Sequence, residues 1–186
     1  MPPVSQGTSE SPLGRHGGGD GGGEDRWLLR FEPHLPYAYE ALWPALSTAD
    51  GLRGWLATAE VLQRRLGGAV TLRRLNTGAT VTGRITAWDT ERVVEYTVSE
   101  QGRIRFHLEP VGTDSTVVRF VNERGGTEAD RLDSLAGWHH HFELLESALA
   151  GSPAGAPADR PLWNDARWAE LREAYAAAAV AAAARA

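Results

Sequence analysis

The chain has 186 residues with no cysteine, no lysine and one methionine. It has no apolar run long enough to cross a bilayer as a helix. The missing cysteine excludes disulfides, a thiol nucleophile and Cys-ligated zinc. It also fits a reducing compartment, so a cytoplasmic location is expected. The first residues carry no apolar core of the signal-peptide kind. With lysine absent, all 19 basic residues are arginine, a pattern of GC-rich coding. The net charge is -5. Neither a nucleic-acid partner nor a membrane partner is expected from such a chain.

What is present falls into three parts. Residues 1–25 are Gly/Ser/Pro-rich and nearly free of apolar side chains, so they are expected to form a disordered arm. Residues 26–150 read as one domain. "RWLLRFEPHL" alternates like a strand and is stopped by Pro33 and Pro36. "YAYEALWPALS" and "TADGLRGWL" have helical spacing, with Pro44 as a kink or break and Thr48 as a cap. Five strand candidates follow, at 69–75, 79–89, 92–98, 102–111 and 115–123. Short turns join them, which implies an antiparallel meander. Ile104, Phe106 and Leu108 share one face while Arg103, Arg105, His107 and Glu109 share the other, so one face is buried. A long helix is predicted over 130–150, opened near Thr127 or Asp130 and closed by Gly151. Residues 151–186 are a linker and an Ala-rich tail helix. Its large apolar residues, Trp163, Trp168, Leu171 and Tyr175, all lie in the first half. That half is expected to dock on the domain or on a second copy, so a homodimer through the tail helix is one candidate assembly. Removing the tail is expected to leave ligand binding intact.

The expected fold class is therefore α+β: a curved antiparallel sheet wrapped around one long helix, with two short helices after the first strand. Such a sheet does not close on its helix, and the gap is a common kind of ligand cavity.

"LPYAYEALWPALSTADGLRGWL", "GRITAWDTERVVEYT" and "GWHHHFELLESAL" resemble, in order and across about residues 26–150, the motifs of the heat-shock-protein-90 ATPase activator homologue family. Thr90–Glu91 stands where that family usually has a Pro pair. The resemblance implies the helix-grip fold of the START/SRPBCC superfamily and a cavity for a small, largely apolar molecule. Eukaryotic co-chaperone members carry a further N-terminal domain, and this chain has the Gly-rich arm there.

The run His139–His141 invites a metal reading. On a helix advancing ~100° per residue, Leu135, Trp138, Phe142, Leu145 and Leu149 form the buried stripe. His140 then points to solvent, and His139 and His141 flank the stripe. Consecutive helical residues do not face one another. His139 with Glu143 is the workable pair, and His141 is the histidine placed at the cavity mouth. The cavity candidates are Trp43, Trp55, Tyr96, Phe106, Phe120, Asn122, Trp138, His141, Phe142 and Leu145. Asn122 shares strand parity with Val118 and Phe120, so a ligand or water is expected to satisfy its amide. Arg84 is expected to face solvent. No catalytic triad, nucleophile elbow or paired-carboxylate motif is visible. No catalytic residue, metal or cofactor is assigned.

The leading reading is a binding protein for a small hydrophobic or aromatic molecule, without catalysis. The alternatives are an aromatase/cyclase- or hydrolase-type enzyme using a cavity His or Tyr, and a protein-interaction or co-chaperone-like module. Because the histidines splay around the helix, elemental analysis after dialysis is expected to find no stoichiometric metal. One metal per chain, lost in His139→Ala, would contradict this.

Overall fold

A computed structural model describes residues 4–10, 25–151 and 163–185. Its described residues hold nine strands and four helices. The strands are β1 Thr8–Glu10, β2 Asp25–Phe31, β3 His34–Leu35, β4 Ala57–Leu62, β5 Ala69–Arg74, β6 Thr80–Asp89, β7 Val93–Val98, β8 Gly102–Pro110 and β9 Thr116–Gly126. The helices are α1 Tyr39–Ser47, α2 Ala49–Arg53, α3 Glu128–Leu149 and α4 Asp165–Ala183.

The strands form one antiparallel sheet in the order β1-β2-β9-β8-β7-β6-β5-β4, and β3 also pairs with β9. The meander runs from β4 to β9, and β9 returns to lie against β2 with Phe31 opposite Phe120. On β8 the burial alternates as the sequence predicts. Ile104, Phe106 and Leu108 are buried, and Arg103 and Arg105 are exposed. Arg84 is also exposed.

The helix α3 covers the buried face. Thr127 caps it, accepting from the Asp130 N–H while the Asp130 carboxylate accepts from the Thr127 N–H, a reciprocal capping box. Gly151, at φ 74°, follows its end. Leu135, Trp138, Phe142 and Leu145 are buried beneath it. Phe142 packs on Phe31 and Phe120 with ring centroids at 5.3 and 5.1 Å. The short helices close one side. Pro44 sits inside α1 without ending it, and Thr48 accepts from the Gly51 N–H to open α2.

Two regions differ from the sequence reading. The strand β4 follows α2 directly, and its "ATAEVL" pairs with β5 through a bulge between Ala59 and Val61. Residues 4–10 do not behave as part of an unstructured arm. Thr8–Glu10 pairs with Leu28–Arg30, Val4 is buried, and the Gly7 N–H donates to the Tyr175 hydroxyl at 2.8 Å. Gly7 lies so close over the Phe31 ring that a Cβ there would collide with it. The remaining arm residues and the linker at 152–162 lie outside the described residues. The tail helix docks in cis on α3. Trp163, Leu171 and Tyr175 are buried, while Val180 in the alanine half is 72% exposed. No helix among the described residues is long and apolar enough to cross a membrane.

Phe142 is fully buried among aromatic rings. Phe142→Ala is expected to cost about 3–5 kcal/mol, since a rigid aromatic layer cannot collapse into the space. Urea titration checks this, and a loss below about 1 kcal/mol would place Phe142 outside the packed core.

Candidate functional site

In a meander, alternate turns lie at the same end of the sheet. The β5–β6 and β7–β8 turns and the C-terminal end of β9 therefore meet the start of α3. A cleft of about 280 Å³ opens at this junction. The sheet contributes Arg74, Asn76, Thr77, Gln101 and Arg124. The long helix contributes Asp130, Asp133, Ser134, Gly137, Trp138 and His141. The entry to α4 contributes Trp163, Asp165 and Trp168. The last three belong to the tail, which therefore forms one wall of the cleft.

Gly102 has φ 69°, and a Cβ there would strike the Glu123 carbonyl, so the tight turn that presents Gln101 needs glycine. Gly137 sits mid-helix on the cleft floor. An added Cβ would meet nothing nearer than Trp168 Nε1 at 4.0 Å.

Of the ten residues nominated from sequence, Trp138 and His141 border the cleft. The other eight lie in the core cluster or at its polar seam. Trp55, Phe106, Phe120 and Phe142 pack ring against ring. Trp43 packs against Trp88, with centroids at 5.1 Å. Leu145 is fully buried. The Tyr96 hydroxyl donates to the Leu46 carbonyl at 2.7 Å, and burial pushes its pKa well up. Asn122 finds three partners within the protein. It accepts from Trp138 Nε1 at 3.0 Å and donates to the Gln101 and Arg103 carbonyls at 2.8 and 3.0 Å.

The three histidines turn to three different sets of partners. His139 Nδ1 bonds the Tyr175 hydroxyl at 2.9 Å, and burial lowers its pKa. His140 is buried, which corrects the solvent-facing placement. The Trp163 ring lies 4.6 Å away, tilted by 60°, and the Asn164 N–H donates to His140 Nε2 at 3.2 Å. A helical wheel finds the face away from the sheet, but α4 covers that face. Glu143 pairs with His140 at 3.1 Å rather than with His139, which is 3.9 Å away, and it also receives Arg167 at 2.6 Å. Burial opposes ionisation of Glu143, yet these donors hold its pKa below the ordinary value.

His141 donates from Nδ1 to the Trp55 carbonyl at 2.7 Å, since a carbonyl can only accept. This fixes the neutral tautomer, with Nε2 an acceptor that has no partner among the described residues. Trp138 and Trp163 flank the ring at 5.5 and 5.0 Å. Full burial drives its pKa down to about 4.

Sequence reasoning missed the polar rim of the cleft, Arg74, Asn76, Gln101 and Arg124. The available signal was topological, because "NTG" and "EQG" are alternate turns and so share an end.

The match to known proteins decides the family. Residues 36–150 match the model of the Activator of Hsp90 ATPase homolog 1-like protein family. The chain belongs to this family. No curated protein matches it. Among solved structures, it is similar to a conserved protein of unknown function from Enterococcus faecalis, EF2215, at 17% identity and TM-score 0.61. That match covers 83% of this chain and 85% of the other. CalU16 from Micromonospora echinospora is similar at 15% identity and TM-score 0.61, covering 82% and 88%. A structure described as the Aha1 dimer from Colwellia psychrerythraea is similar at 21% identity and TM-score 0.55, covering 66% and 95%. These likenesses confirm the helix-grip fold.

A histidine buried neutral destabilises the fold when its unfolded form protonates. Its stabilising effect is complete above the unfolded pKa near 6.5 and is lost as pH falls toward the folded value near 4. His139 acts in the same direction. Stability is therefore expected to fall across pH 6.5 to 4, with His141 accounting for about 3 kcal/mol at ~1.4 kcal/mol per unit. Urea titrations across this range, compared with His141→Gln, check it. An equal slope in both chains would show that His141 is not the group responsible.

Proposed function

We propose that the cleft binds a small aromatic, largely apolar molecule, and that the chain catalyses nothing of its own. The observation that carries this reading is a roughly 280 Å³ cleft walled by three indoles, Trp138, Trp163 and Trp168, beside one uncommitted imidazole nitrogen. Indole faces supply contact area and stacking geometry, while a few polar groups fix orientation.

The enzyme reading asks for a base with a pKa near the working pH. His141 is held far below that range, the Tyr96 hydroxyl is tied to a backbone carbonyl, and both Asn122 amide hydrogens are taken by backbone carbonyls. The interaction-module reading asks for exposed tryptophans on the tail. Trp163 is buried and Trp168 half-buried against α3. The similar Colwellia structure is described as a dimer, which supports a homodimer as a second level of organisation. The exposed alanine half of α4 is the surface offered for it. A cytoplasmic setting completes the proposal.

Native mass spectrometry of freshly purified protein is expected to show a co-purified small molecule. Gly137→Leu projects a side chain from the cleft floor toward Trp168 and replaces a poor helix former with a good one. This variant is expected to melt no lower than the parent and to lose the bound mass. Retention of the adduct in Gly137→Leu would move the binding site elsewhere.

A further inference from the structure

Most arginines of the chain have a carboxylate partner. Arg26 and Arg103 share Glu123, Arg105 takes Glu95, Arg119 takes Glu109, Arg167 takes Glu143 and Arg172 takes Asp133. Arg64, Arg65, Arg84 and Arg185 have none among the described residues but are exposed to solvent, and Arg74 and Arg124 differ from them. Both are half-buried on the sheet side of the cleft, and neither has a carboxylate within 4.0 Å among the described residues. Arg124 donates to Ser134 Oγ at 2.8 Å, and the Gln101 amide oxygen, turned toward Arg74, accepts from it at 3.0 Å. Neutral partners satisfy hydrogen bonds without offsetting charge. Burial, and then repulsion from Arg124, lowers the Arg74 pKa, with Glu100 a weaker opposing influence. An arginine nevertheless stays protonated, so each keeps a positive charge with no carboxylate in contact.

The acids that border the cleft make their contacts elsewhere, although Asp130 keeps its charge and feels Arg124 at longer range. The Asp130 carboxylate closes the Thr127 capping box. Asp133 is paired with Arg172 at 2.5 Å, and Asp165 accepts from Trp163 Nε1 at 3.0 Å. Two acceptors in the same cleft lack donors among the described residues. One is His141 Nε2, left over once Nδ1 is on the Trp55 carbonyl. The other is Asn76 Oδ1, buried and without a hydrogen bond. A buried acceptor with no donor, such as Asn76 Oδ1, is costly, and a half-buried cation favours an anion in contact.

Resting on the cleft reading above, we infer that the ligand is an aromatic hydroxy acid. Its carboxylate meets Arg74 and Arg124, its ring lies against the three indoles, and its hydroxyl donates to His141 Nε2. The ligand thus supplies an anion in contact with the two guanidinium groups and a donor for one of the two open acceptors, His141 Nε2.

Isothermal titration calorimetry at pH 7.5 with three probes tests this on the full chain. The probes are 6-hydroxy-2-naphthoate, 2-naphthoate without the hydroxyl, and 2-naphthol without the carboxylate. The hydroxy acid is expected to bind tightest, and loss of the carboxylate to weaken binding about tenfold or more, as for a charge-assisted bidentate contact. Arg74→Gln and Arg124→Gln are each expected to weaken both acids by a similar factor and to leave 2-naphthol unchanged. A measurement on the unaltered chain guards against misfolded variants: raising the salt concentration should weaken the two acids and spare 2-naphthol. Binding of 2-naphthol as tight as that of the hydroxy acid, or equal salt dependence for all three, would overturn the anion assignment and leave the cleft reading standing. Failure of all three probes to bind would defeat the cleft reading and this inference together.

Discussion

The structure depends on how one helix is seated on one sheet. A curved sheet with a single apolar face must be covered along its length, and α3 is the element that reaches across it. Its seat is an aromatic layer. Phe120 lies 4.4 Å from Trp138 and 5.1 Å from Phe142, between the helix and the central strands. Burial of these rings supplies the non-directional part of the attraction. Direction comes from the Trp138 indole N–H on Asn122, whose amide N–H groups also bind the Gln101 and Arg103 carbonyls. One amide thus ties helix, strand and turn together. Slippage of the helix would strand buried polar atoms, so the bond selects position more than it adds stability.

The same helix carries three imidazoles that burial keeps apart in role. His139 faces the tail, His140 the start of α4 and His141 the core and the cleft. Among the described residues no three His, Asp or Glu side chains converge in a geometry that could hold a metal. The histidine run is better described as the contact surface between α3 and α4. Imidazole suits that place because it has an apolar face for Trp163 and two polar nitrogens on its rim.

Much of the fold was readable in the residues. The strands from 69 to 126 announced themselves by alternation and short turns, and α3 by Thr127 and the 3–4 spacing of its apolar residues. The strand β4 did not, because "ATAEVL" alternates weakly and follows a helix without a breaker. β1 did not, because an edge strand needs only backbone groups to pair, and its polar side chains carry no period. The site was harder. Aromatic residues were sensible cavity candidates, yet eight of the ten positions named lie in the core cluster or at its polar seam. Cleft and core draw on the same apolar residue types, and one sequence does not say which side of a ring is covered. The polar rim went unseen because "NTG" and "EQG" are ordinary turn compositions. What gathers them is a third dimension, the shared end of a meander, together with a tail helix whose landing place no local pattern specifies.

Gly7 and Tyr175 are 168 positions apart and share a hydrogen bond, and the Tyr175 hydroxyl also holds His139 on α3. The two extremities of the chain are therefore clasped over one helix, and the path from the first strand to the tail forms a closed circuit without a covalent link. The long loops of that circuit can be closed only after α3 is in place, because α3 is the post to which both ends are fastened. The tail that carries Tyr175 also sets Trp163, Asp165 and Trp168 on the cleft, so the clasp and one wall of the cleft hang on the same stretch of chain.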